Sequence, residues 1–356
     1  MIKRYIALFI VSCFGGWIFS LIHVPLPWIL GPLATVMIVK IGFRRQVYWP
    51  LKIRNMAMLV LGYVLGSPFT PQTGYHILSQ LPTILIMTLI TMALCLVGGS
   101  VIGKYLDLHL STSLLGSMPG GLPQITIVCE DVEGSDVAAV TMMQTVRILM
   151  TVFTVPFLVL HGLADRVDPV IRAAAHFNVD TLPVLALFAV IIIGSVYIAN
   201  SIGLPSPYLI APVVSTASLV LSGVDAPSLP SFVIALAQVC MSIRMGMAVD
   251  VARLHNWKKL LLLTMLSVFV VILLLLGIDY LFARISEISF ITAFISTAPG
   301  GITEMGLTAM MVHADLSTVI AFQLFRLLFV LLVAIPVLTW WLCRRNKQCI
   351  RYSPLE

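Results

Sequence analysis

Apolar residues run along this chain in blocks of bilayer length, and polar residues gather in short clusters between them. A first set of blocks spans residues 5–22, 28–42, 55–66, 82–102 and 137–160, with an interrupted stretch at 110–130. A second set spans 183–199, 207–222, 232–249, 260–282 and 316–342, with an interrupted stretch at 290–312. A helix needs about 20 apolar residues to cross a hydrocarbon core of ~30 Å. The pattern therefore predicts an all-α integral membrane protein with about ten crossings. The second and third blocks of each set are short for that thickness, which predicts tilting, kinking or burial by neighbours.

Composition strengthens this reading. Of the 356 residues 60% are hydrophobic and only 10% charged, too little charge to cover a soluble domain of this size. Mean hydropathy is +1.05. The formal charge of +6 sits in clusters beside apolar blocks: Lys3/Arg4, Arg44/Arg45, Lys52/Arg54, Arg253 with Lys258/Lys259, and Arg344/Arg345/Lys347/Arg351. Cytoplasmic loop ends carry such clusters. No polar segment is long enough to fold as a basic domain, so nucleic acid is excluded as a partner. Lys3-Arg4 before an apolar run mimics a signal peptide, but no A-x-A-like cleavage site follows, and the run reads as a retained first helix.

The chain repeats itself. Pro25, Pro27 and Pro32 correspond to Pro205, Pro207 and Pro212 at an offset of 180. The same offset relates Gly66 to Gly246, Thr112 to Thr292, and Pro119-Gly120-Gly121 to Pro299-Gly300-Gly301. After a one-residue deletion, Asp136, Gln144 and Arg147 meet Asp315, Gln323 and Arg326. Matched prolines, glycine pairs and a Q-x-x-R element in one register point to tandem duplication. We divide the chain into a first membrane repeat (1–160), a surface linker (161–181), a second membrane repeat (182–343) and a basic cytoplasmic tail (344–356). Positive charge falls after the second block of the first half but after the third block of the second half. Both patterns fit if each half crosses about five times, its Pro-Gly-Gly segment re-enters, and the halves are inverted. Both termini are then cytoplasmic.

The Pro-Gly-Gly segments interrupt apolar stretches. Proline removes a backbone donor and glycine permits angles other residues resist, so a helix breaks there. In lipid, broken backbone survives only where it is buried in protein or lines a wet cavity. Paired broken helices in corresponding positions of two halves point to a transporter's binding site. We take Gly120, Gly121, Gly300 and Gly301 as its backbone elements. Gln124 and Glu304 stand three residues after the second glycine of each motif, giving one neutral and one acidic half. Gln144/Arg147 and Gln323/Arg326 share a helix face in each half. These arginines lie within apolar spans, so they face protein or water, and they either bind solute or clamp the carbonyls of the break. Arg244, beside Gly246, completes the candidate substrate- or ion-binding set. Glu130, Asp131, Glu133 and Asp136 form a solvated loop or a vestibule for cations.

Other chemistries find no footing. Six cysteines lack C-x-x-C spacing and read as small buried thiols, and seven scattered histidines form no metal-ligand motif. Neither a P-loop nor a G-x-S-x-G nor a dinucleotide fingerprint is present. No catalytic residue, metal or cofactor is assigned. Gly-Gly at 15–16 and 98–99 predicts close helix packing.

At LPWILGPL (26–33), SMPGG (117–121), STAPGG (296–301) and the Q-x-x-R elements at 144–147 and 323–326, the chain resembles the AbrB family of duplicated bacterial membrane proteins. The resemblance covers nearly the whole chain. It implies residence in the bacterial cytoplasmic membrane and a link to regulation of gene expression. The family is also labelled ammonia monooxygenase, a label at odds with a sequence lacking metal-ligand spacing. More distantly the pattern looks like the cation/proton antiporter and anion transporter superfamily, a likeness of fold that names no substrate. Three classes follow: a secondary transporter of a small molecule or ion, a membrane regulator, and a membrane enzyme. The expected partners are the lipid bilayer and that solute, and a homo-oligomer stays open.

The charge pattern generates a topology test. Single cysteines placed at Gln72 and Val224 should label with an impermeant maleimide from outside, and one at Asn256 only from inside. External labelling at Asn256 would instead make the halves parallel.

Overall fold

The computed structural model describes residues 2–24, 26–42, 48–70, 75, 79–120, 125–126, 128–129, 132, 134–163, 181–204, 206–248, 257–286 and 288–346. Their regular structure is entirely helical: α1 (Ile2–Leu21), α2 (Pro27–Met37), α3 (Leu51–Gly66), α4 (Leu81–Leu106), α5 (Leu110–Ser117) and α6 (Val137–Leu158), then α7 (Leu182–Ser201), α8 (Pro207–Leu221), α9 (Ser231–Ala248), α10 (Trp257–Ile285), α11 (Phe290–Thr297), α12 (Ile302–Met311), α13 (Leu316–Phe329) and α14 (Ile335–Asn346). Among the described residues five helices are long and apolar enough to cross a membrane: Leu81–Leu106, Val137–Leu163, Leu182–Ser201, Trp257–Ile285 and Leu316–Leu342. Four shorter apolar helices accompany them. Residues 164–180 of the expected linker, 347–356 of the tail, and Arg44, Arg45 and Arg253 lie outside the described residues. Residues 161–163 continue the helix begun by α6.

The duplication extends to element boundaries. Both α1 and α7 are 20 residues long and start 180 apart, and α2/α8, α3/α9 and α5/α11 start at the same offset. The local chemistry repeats too. Pro27 and Pro207 open α2 and α8, each after a left-handed residue, Leu26 (φ 49°, ψ 52°) and Ser206 (φ 50°, ψ 52°). Proline is preorganised for the first helical turn, where its missing amide costs nothing. Helices α1 and α7 end through matching six-to-one bonds, Val24 N to Phe19 O (3.0 Å) and Leu204 N to Ala199 O (2.8 Å). After the deletion, Gly134 (φ 79°) and His313 (φ 53°) are left-handed at an offset of 179, just ahead of the matched caps of α6 and α13. Asp136 Oδ1 accepts the amides of Ala138 (2.8 Å) and Ala139 (3.3 Å), and Asp315 Oδ1 those of Ser317 (3.1 Å) and Thr318 (3.3 Å).

The chain forms two compact units, and each takes pieces from both halves. The first comprises Met1–Gln80, Pro156–Val249 and Gly306–Ile320. Here α1 packs on α2 and α7 on α8, while α3 packs on α8 and α9 on α2. The crossed pairs are reciprocal to the residue. A Cβ on Gly66 would stand 2.6 Å from the carbonyl oxygen of Val213, and one on Gly246 would stand 2.8 Å from that of Leu33. Gly66 and Gly246 are equivalents, and so are Leu33 and Val213. Between apolar helices in lipid, close backbone approach replaces the hydrophobic drive of water, and only glycine allows it. Tyr63 anchors this unit further, donating to Pro227 O (2.5 Å) and meeting Phe188 edge to face with centroids 5.4 Å apart. Ser317 Oγ donates to Pro68 O at 3.0 Å.

The second unit comprises Leu81–Val155, Asp250–Met305 and Ala321–Glu356. Long helices α4 and α10 pack on each other, α4 on α5 and α10 on α11. Gly98 admits Ser267 at the α4–α10 crossing, where a Cβ would come within 2.3 Å of the serine hydroxyl. Leu114, Leu115 and Met118 at the end of α5 are buried in one cluster with Val330, Ala334 and Ile335. Helices α5, α11 and α12 thus begin in this unit.

The glycine contacts make a specific prediction. Gly66→Ala and Gly246→Ala should each destabilise the protein by about 1–3 kcal/mol through overpacking. Gly194→Ala and Gly277→Ala, where an added Cβ meets nothing within 4 Å, should be neutral or slightly stabilising. Thermal unfolding of the four purified variants checks this.

Candidate functional site

Helices α5 and α11 are eight residues each, and both stop two residues before a proline. Met118 (φ −63°, ψ 129°) and Ala298 (φ −50°, ψ 132°) turn extended, as a following proline ring requires. The chain then folds over each proline, with Gly120 N bonding Met118 O and Gly300 N bonding Ala298 O, both at 2.8 Å. In the second half a new helix, α12, starts at Ile302. Each break leaves a cluster of carbonyls that no helix can satisfy.

One glutamine and one arginine, three residues apart on α6 and again on α13, meet that demand. Gln144 Nε2 donates to Leu115 O and Met118 O at 2.9 Å each. Gln323 Nε2 donates to Ile295 O and Ser296 O at 3.1 Å and to Ala298 O at 3.2 Å. Arg147 directs Nη1 to Ser117 O (3.4 Å) and Met118 O, and Nη2 to Gly120 O (3.3 Å). Arg326 directs Nη1 to Thr297 O (3.1 Å) and Ala298 O (2.7 Å), and Nη2 to Gly300 O (2.7 Å). Arg326 Nη2 also bonds Gln323 Oε1, whereas Gln144 Oε1 has no partner among the described residues. The arginine acceptors are equivalent carbonyls in the two halves. Of the two roles open to these arginines in the sequence, the clamp is the one observed. Both are buried, at 5% and 6% exposure.

The remaining expected residues are distributed as follows. Gly120, Gly300 and Gly301 form the breaks, while Gly121 and Gln124 lie outside the described residues, as do Glu130, Asp131 and Glu133. Glu304 is buried in the first turn of α12, with its carboxylate folded back over Gly301. A Cβ on Gly301 would lie 2.0 Å from Glu304 Oε2. A carboxylate there faces the partial positive charge of the helix start. Arg244 belongs to the first unit, half-buried on α9. Among the described residues no three His, Cys, Asp or Glu side chains gather as a metal set.

A further acid stands beside the second break. Asp279, fully buried on α10, accepts a bond from Thr297 Oγ1 at 2.5 Å, and its Oδ1 has no partner among the described residues. In the first half the equivalent pair is Gly99 and Ser117, packed so closely that a Cβ on Gly99 would stand 2.0 Å from the serine hydroxyl. The signal was visible: Asp279 is the one charged residue in the 260–282 apolar block.

Two cavities adjoin the clamps, and the duplication relates them. One is lined by Gly116, Ser117, Met143 and Arg147 together with Ser267, Val268 and Val271 of α10. The other is lined by the equivalents Ser296, Thr297, Phe322 and Arg326 together with Met87, Thr88 and Thr91 of α4. The first is a cavity of about 20 Å³, room for little more than one water, and the second has no room for one. Phe322 stands where the first has Met143, and Ser296 where it has Gly116.

A family model described as transition state regulatory protein AbrB matches residues 28–342. A protein of Escherichia coli (strain K12) carrying the AbrB name is 25% identical over 319 residues, covering 88% of this chain and 89% of its own. The protein YhjN of Bacillus subtilis (strain 168) is 25% identical over 349 residues, covering 92% of this chain and 90% of its own. The family match takes in both breaks and both clamps.

The clamp geometry predicts that lysine cannot replace arginine. Arg147→Lys and Arg326→Lys keep the charge but lose the fork that reaches carbonyls on both sides of a proline. Each should cost about 2–3 kcal/mol, the penalty of leaving buried carbonyls without donors. Denaturation midpoints of the purified variants measure it, and unchanged midpoints would remove the clamp.

Proposed function

The chain belongs to the AbrB family, and within it we propose that this protein is a secondary transporter whose solute binds at the two broken helices. The duplicated break with its Gln-x-x-Arg clamp carries this reading. Backbone that leaves the helical ladder at membrane depth is tolerated only where its polar groups find partners or face a cavity. Here both conditions hold in each half. In transporters such paired breaks hold the solute, and one repeat or bundle rocks against the other around it.

The charge distribution supports an inverted arrangement of the halves, re-entrant Pro-Gly-Gly segments and cytoplasmic termini in a bacterial cytoplasmic membrane. Arg147, Arg326, Gln144 and Gln323 act as positioning residues that hold the breaks open. Glu304 and Asp279 give the second half an acidic character that the first half lacks at Gly99 and at Gln124. Asymmetry of this kind suits a site that couples solute movement to an ion. No catalysis is proposed. A regulatory role draws on the description of the family model and on the regulator name of the Escherichia coli relative.

Flux in proteoliposomes tests the proposal: solute exchange above that of empty liposomes is expected. Glu304→Gln copies the amide of the other half and removes titration. It should reduce proton-gradient-driven uptake at least tenfold while solute exchange persists. Unchanged pH dependence would leave Glu304 as a cap of α12, and absence of flux for every solute class would remove the transport reading.

A further inference from the structure

An apolar cluster in the first compact unit has a cationic counterpart under the duplication. Tyr63, Val64 and Phe188 are buried together there, and Val220 and Ile234 pack against them. At the offset of 180 three of these positions become basic: Arg244 answers Val64, Lys40 answers Val220 and Arg54 answers Ile234. The packing of α3 on α8 and α9 is returned by that of α9 on α2 and α3, so residues that gather on one side gather on the other. Two observations agree. Lys40 Nζ donates to Met247 O at 2.7 Å, within a turn of Arg244, and the charge of Arg244 acts on Arg54.

Lys40 is spent on a carbonyl at the C-terminal end of α9, where a cation is favoured. The two arginines have no such use. Both are half-buried, and neither has a hydrogen-bond or ion-pair partner among the described residues. Helices α1, α2, α3 and α9 contain no Asp or Glu, so the elements around the pair supply no counter-charge. Two guanidinium groups in one place repel each other unless an anion with several oxygens accepts from both forks. A phosphate has that shape and charge. Partial exposure leaves both arginines within its reach.

The position of the pair selects the source of the phosphate. Arg54 lies in the first turn of α3 and Arg244 one turn from the end of α9, at the ends that the charge pattern assigns to the cytoplasmic face. At the same ends Ile38, Leu51 and Met56 expose apolar side chains, and Tyr48 stands exposed as at headgroup level. A soluble anion gains nothing from that apolar rim, whereas acyl chains do. A zwitterionic lipid would bring an ammonium of its own into a site already rich in positive charge.

We propose that Arg54 and Arg244, with Lys40 beside them, bind the phosphate of an anionic phospholipid. Basic pockets between helices on the cytoplasmic side suit such headgroups. The site is separate from the broken helices and does not depend on the transport reading.

Native mass spectrometry of the purified full chain, titrated in detergent with phosphatidylglycerol, phosphatidylcholine or inorganic phosphate, tests the assignment. Phosphatidylglycerol should be retained in a saturable way, and neither phosphatidylcholine nor phosphate should match it. Arg54→Gln and Arg244→Gln, which keep polar side chains and remove charge, should each weaken phosphatidylglycerol binding about tenfold or more, the effect of losing bonds to a charged group. The double variant Arg54→Ile/Arg244→Val copies the other half. It should abolish the binding while its lipid-free thermal midpoint equals or exceeds that of the parent, since a repulsion is removed. Lys52→Gln, an exposed lysine of the same turn, should leave binding unchanged and so separates the site from general surface charge. Equal retention of phosphatidylcholine, or Gln variants that bind as the parent does, would overturn the proposal. Phosphate competing at the same arginines without any preference for the lipid would make this a site for a soluble anion instead.

Discussion

Orphaned carbonyls govern this fold. A helix eight residues long ends with as many unpaired acceptors as a long one, and Pro-Gly-Gly prevents the next turn from bonding them. In water such groups are solvated. Among helices this apolar each costs on the order of a few kcal/mol if left alone. A flat guanidinium with its fork of donors reaches across the proline, bonding carbonyls at both ends of the turn, and the glutamine one turn earlier covers the helix end. The need is local, so the solution is duplicated with the same acceptors in both halves.

Each half then divides its labour. Its first three helices join one compact unit, and its long helix and the start of its broken segment join the other. Within the first unit the halves grip each other reciprocally, Gly66 on Val213 and Gly246 on Leu33. Such crossed pairing is what a two-fold relation between repeats produces. It also explains why the halves cannot be separate domains: α3 packs on α8 of the other half as α9 packs on α2. Beside the breaks the halves depart from symmetry, as Gly99 against Asp279, Met143 against Phe322, and Thr264 against Ile84.

Much of this was legible in the residues. Proline and glycine mark breaks in any context, and i, i+3 spacing places Gln144 with Arg147 on one face, so the duplication, the broken helices and the participating side chains could be read directly. Which of two roles the arginines take could not, because a buried cation suits a solute and a carbonyl cluster equally until the acceptors are located. The division into two units was also hidden. It depends on contacts between residues such as Gly66 and Val213, far apart in the chain, and periodicity carries no information on them. Asp279 was visible as a charge in an apolar block, but its meaning required Thr297 beside it, across a loop and a second helix.

The two clamps bond equivalent carbonyls, but their guanidinium planes are not held alike. In the second half the bond from Arg326 to Gln323 Oε1 locks the corresponding plane within the protein, whereas Gln144 Oε1 is left unpaired and no such lock forms among the described residues. The first clamp therefore lacks the arginine-to-glutamine bond of the second, and it is the one beside the larger cavity.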